Sequence, residues 1–129
     1  MATLAAAMAA IHLPSLLSAP QRFDAMQWDR LTGAFSELRS RLEAAEVDTL
    51  VVVSDEHFNV LSPACYPSFG VVAAEQGYGP AESWLGLDRD SVQVSFSTEL
   101  AEHVLGQGTR EGFDLARIAG GRLNSCAQM

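Results

Sequence analysis

Trp28, Leu31, Phe35, Leu38 and Leu42 recur at spacings of three and four, which places them on one side of an α-helix. The stripe predicts a helix over roughly 24–46, opened by Asp24 as N-cap, with Glu37 and Arg41 paired across one turn on an exposed face. Beyond it residues 47–54 predict a strand, centred on the β-branched run Val51-Val52-Val53. Before it, the apolar residues 3–11 read as a buried strand, although their alanines also suit a helix. Strand, helix and strand in that order predict a βαβ crossover with parallel pairing, hence an α/β fold.

Residues 13–22, with Pro14 and Pro20, read as a loop, as do residues 58–67, with Asn59, Pro63 and Pro67. Further on, the apolar run 69–74 predicts a short strand, ended by Gly77-Tyr78-Gly79-Pro80. Residues 81–91 suit a loop or a short helix. Residues 92–96 alternate as in a strand, 98–106 predict a helix with Ser97 as N-cap, and 113–118 predict one more strand. Gly120-Gly121 and residues 124–129 carry no element signal. The 129 residues, 48% hydrophobic and 19% charged, suffice for one domain with a core.

The net charge is −8, and all eight basic residues are arginine. No basic patch exists, so neither duplex nucleic acid nor an anionic membrane is an expected partner. Cys65 and Cys126 have no CxxC spacing and read as two reduced thiols. The N-terminal apolar run holds no Lys or Arg before Arg22, is interrupted by His12 and Pro14, and is too short to span a bilayer. A cytoplasmic location is therefore expected. A secreted protein cleaved near Leu17-Ser18-Ala19 is the competing expectation.

Two histidines close apolar runs: His12 after residues 3–11, and His57 after Val53-Ser54-Asp55-Glu56. Open α/β sheets hold ligands at the carboxyl ends of their strands, so two imidazoles delivered there can share a metal ion. Two histidines and a carboxylate on one face of Fe(II) leave positions open for substrate and O2. The same histidines equally suit a plain structural role as hydrogen-bonded loop residues. Asp55 or Glu56 can orient an imidazole or simply end a strand in water; alternation along a strand turns Glu56 away from His57. His103, among acidic and apolar neighbours, reads as a helix-surface residue. No GxGxxG, GK[ST] or GxSxG pattern occurs.

Five stretches, in order, resemble class III extradiol ring-cleavage dioxygenases of the protocatechuate 4,5-dioxygenase catalytic-subunit type. They are Ile11-His12-Leu13-Pro14-Ser15-Leu16, Val51-Val52-Val53-Ser54-Asp55-Glu56-His57-Phe58-Asn59-Val60, Tyr66-Pro67-Ser68-Phe69-Gly70-Val71, Gly79-Pro80-Ala81-Glu82-Ser83-Trp84-Leu85-Gly86 and Glu111-Gly112-Phe113-Asp114-Leu115-Ala116. The resemblance implies an αβα sandwich around a mixed sheet, of which residues 1–129 form a single N-terminal part, an incomplete half of the family fold. It implies Fe(II) held by His12 and His57, a catechol-type substrate and O2, with loops 58–68 and 77–86 framing the pocket.

The family's third ligand is a glutamate much further along, and its acid/base histidine sits in a D-H-G segment. Neither has a match in this chain, so the resemblance assigns no catalytic residue here. It implies a truncated member, inactive or weakly active unless a second subunit supplies the missing groups; a homo-oligomer is the other assembly expected. The alternative is a non-catalytic subunit or binding protein that retains the half-fold.

Overall fold

The computed structural model describes residues 3–11, 15–55, 61–64, 66–80 and 92–123. The chain is mixed α/β and forms two compact units, residues 1–52 and 53–129.

The first unit is built on one long helix. A single helical turn, α1 (Ser15–Ser18), leads into a 3-10 turn over Pro20–Arg22, and Leu16 is buried. Within the stretch expected to be a loop, Pro20 therefore starts a helical turn, where its missing N–H and fixed φ are no handicap. Helix α2 (Ala25–Ala44) begins at Asp24 with a reciprocal capping box. The Asp24 carboxylate accepts from the Gln27 N–H at 2.8 Å, and the Gln27 side-chain carbonyl accepts from the Asp24 N–H at 3.1 Å. Two i,i+4 pairs, Glu37–Arg41 at 2.8 Å and Arg39–Glu43 at 2.9 Å, lie on its exposed side. The helix ends at Ala45, and Glu46 takes a left-handed φ of 49°.

The expected stripe is the face of α2 that is half-covered: Trp28, Leu31, Phe35, Leu38 and Leu42 are intermediate in exposure, and their intervening neighbours are exposed. No residue of α2 is fully buried, so the stripe is covered only in part.

The expected flanking strands do not form. Residues 3–11 and 47–55 belong to no strand, and Leu4 and Val53 are 84% and 90% exposed. The βαβ crossover built on those two runs is therefore corrected. A β-branched run has strand propensity, but a strand exists only where a neighbouring backbone supplies the ladder, and these runs join none.

The second unit contains the sheet structure. Strand β1 (Phe69–Val72) pairs in parallel with β4 (Leu115–Ile118), with Phe69 opposite Leu115 and Val72 opposite Ile118. Strand β2 (Gln76–Gly79) pairs antiparallel with β3 (Val92–Ser95), with Gln76 opposite Ser95 and Gly79 opposite Val92. Helix α3 (Thr98–Arg110) connects β3 to β4 and packs on β1 and β4. Its N-cap is Ser97, whose hydroxyl accepts from the Leu100 N–H at 3.3 Å. Past Gly120 the chain turns onto β2: the Tyr78 N–H donates to the Gly121 carbonyl at 2.6 Å, and the Leu123 N–H donates to the Tyr78 carbonyl at 2.9 Å. β2 thus has an antiparallel neighbour on one edge and a parallel bridge, Tyr78 to Arg122, on the other.

Gly77 and Gly79 sit inside β2, not in the turn that their sequence suggests. Both are buried. A side chain at Gly77 would meet the Phe96 ring at 2.6 Å and Leu123 at 3.2 Å, so glycine is what lets these apolar groups close over the backbone. Among the described residues of this unit, Ala73, Ala101, Ile118 and Leu123 are buried apolar side chains, with Pro80 fully enclosed behind a cis Gly79–Pro80 bond.

Candidate functional site

The two candidate iron ligands, His12 and His57, lie outside the described residues, as do Glu56, Cys65, Cys126 and the 81–91 stretch with Trp84. Their described neighbours are Ile11 and Asp55, both exposed and both outside any helix or strand. His103 is on the exposed surface of α3, as its acidic and apolar surroundings predict. Among the described residues no group of three or more His, Cys, Asp or Glu side chains could hold a metal ion. Of the loops expected to frame a pocket, 77–79 is strand β2 and is corrected accordingly: its backbone is committed to two neighbours.

Among the described residues of the second unit, polar side chains link neighbouring segments at three joints. At the start of β1, Asp114 accepts from the Ser68 N–H at 2.9 Å and from the Ser68 hydroxyl at 3.4 Å, while the Phe69 N–H donates to the Asp114 carbonyl at 3.2 Å. This ties the chain entering β1 to the chain entering β4, and beside it the Phe69 and Phe113 rings meet edge-on at 6.4 Å. At the far end of the same strands, the Arg117 guanidinium donates to Glu102 at 2.7 Å and to the Ala73 carbonyl at 3.1 Å, linking β4 to α3 and to the chain leaving β1. Thr98 adds a bond to the Ala74 carbonyl at 2.9 Å. On β2 the Gln76 side-chain carbonyl accepts from the Tyr78 hydroxyl at 2.6 Å and from Gln93 at 2.8 Å across the strand pair.

Sequence reasoning missed these joints because each pairs residues 15 to 46 positions apart, apart from the short Tyr78–Gln76 contact. Each is a side chain satisfying backbone or side-chain groups of a neighbouring segment. That holds the parallel pair and α3 together. In the first unit an open groove is lined by Phe23, Gln27, Arg30 and Leu31, an apolar surface with one cation beside it. Phe23 and Trp28 approach there with ring centroids 6.0 Å apart.

Comparison with known proteins gives no relative: no protein-family model, no curated protein and no solved structure matches this chain. No helix among the described residues is long and apolar enough to cross a membrane.

Proposed function

We propose that this chain carries two iron-ligating histidines, His12 and His57, of an extradiol ring-cleavage dioxygenase acting on a catechol-type aromatic with Fe(II) and O2. The observation that carries the reading is the order and spacing of five sequence stretches running from Ile11 to Ala116. The fold supports it at a coarser level. The chain is mixed α/β, with one parallel and one antiparallel two-stranded sheet among the described residues. An αβα sandwich around a mixed sheet is the finer architecture proposed.

The donor set fits ferrous iron in kind. Imidazole nitrogen is a good ligand for it, and the acidic residues beside His57 can set the tautomer of a ligating ring, with Asp55 on exposed chain within reach of solvent. When bound, the metal would supply a Lewis-acidic centre for a catechol and O2. The chain's own part is to present two neutral imidazoles. A carboxylate ligand and an acid/base histidine of the kind the resemblance implies have no match among these 129 residues, so metal binding, and not turnover, is what the reading assigns to this chain. Turnover needs those groups from further polypeptide, whether a second subunit or more of the same protein.

The test is anaerobic Fe(II) titration of the chain and of His12→Ala and His57→Ala, with O2 uptake on catechols as a second readout. Each substitution should weaken iron binding by more than the roughly 10- to 100-fold that outer-shell partners cost. Unchanged binding in both variants refutes the ligand assignment. The lack of a matched acid/base histidine favours a second reading, a non-catalytic binding subunit. Iron or catechol binding with no O2 uptake, even after the complementary groups are supplied, selects it.

A further inference from the structure

We draw no further inference here: the strongest candidate, the exposed apolar surface patch at residues 50–53 after helix α2, carries nothing because no feature of the structure shows what covers it.

Discussion

Gly120 and Gly121 are neighbours with opposite expected responses to the same substitution. A Cβ at Gly120 would meet nothing within 4 Å. At Gly121 it would overlap the Gln76 carbonyl oxygen and press on the Gly77 Cα at 3.0 Å. Both obstacles are backbone of β2, so no rotamer change relieves them. Gly121→Ala must push residues 121–123 off the strand. That breaks the Tyr78–Gly121 and Leu123–Tyr78 bonds and uncovers Leu123, which is only 6% exposed. Two backbone hydrogen bonds are worth about 1 kcal/mol each, and exposing a leucine costs about 2 kcal/mol. The expected loss is therefore about 4 kcal/mol if the segment detaches fully. Gly120→Ala should stay within about 0.5 kcal/mol of wild type, or gain slightly from a stiffer unfolded chain. Urea unfolding followed by circular dichroism gives both values, and hydrogen exchange at the Tyr78 and Leu123 amides shows where the loss falls. Equal stabilities for the two variants, or a protected Leu123 amide in Gly121→Ala, would refute the argument that this close approach fixes the bridge to β2.

Asp24→Ala removes the side-chain half of the α2 capping box and should cost about 1 kcal/mol, visible as lost helical signal on thermal melting, whereas Asp24→Asn should retain most of it. Glu102→Gln should cost less than about 1 kcal/mol, and the cost should shrink in high salt, because both partners of the Arg117 pair are 48% exposed. Arg117→Met also loses the bond to the Ala73 carbonyl, so urea titration should show a larger, less salt-sensitive loss, by about a further 1 kcal/mol. In metal competition on the isolated chain, Zn(II) should displace Fe(II). Retention of Fe(II) against equimolar Zn(II), read by inductively coupled plasma analysis, would count against a two-imidazole site.

Helix α2 was legible from sequence because its determinants are local. Asp24, with Gln27 three residues on, supplies the cap, and the stripe from Trp28 to Leu42 sets the period. Helix α3 was legible for the same reason, from Ser97 and the acidic first turn, although it continues to Arg110, past the Gly106 at which the pattern seemed to stop. Gly108 is tolerated there because Leu115 lies against it, with a side-chain carbon 2.5 Å from where a Cβ would stand. Strands β1, β3 and β4 were legible as short apolar or alternating runs.

β2 was not legible, because Gly77 and Gly79 look like punctuation until Phe96 and Leu123 are seen to close on Gly77 and residues 121–123 to bond Tyr78 between them. Residues 47–54 failed in the opposite direction. Their composition asks for a strand, but composition cannot supply the neighbour that makes one. Of the candidate site, the surface position of His103 was legible from its own helix, while His12 and His57 stand on motif order alone.

That difference decides what the iron proposal can ask of this chain. Two neutral imidazoles follow the general affinity order for divalent metals, in which Fe(II) ranks below Zn(II) and Cu(II). A carboxylate adds negative charge and an oxygen donor, and it shifts the set toward the harder ferrous ion. What the missing carboxylate would contribute is therefore selectivity as much as strength. An acid/base group contributes something separate, a factor of about 10² to 10⁴ in rate once substrate is held. Metal binding, metal choice and turnover are thus three distinct properties, and the proposal assigns only the first to residues of this chain. A negative turnover assay leaves the ligand assignment standing, whereas iron binding that is indifferent to both histidines removes the basis for the other two.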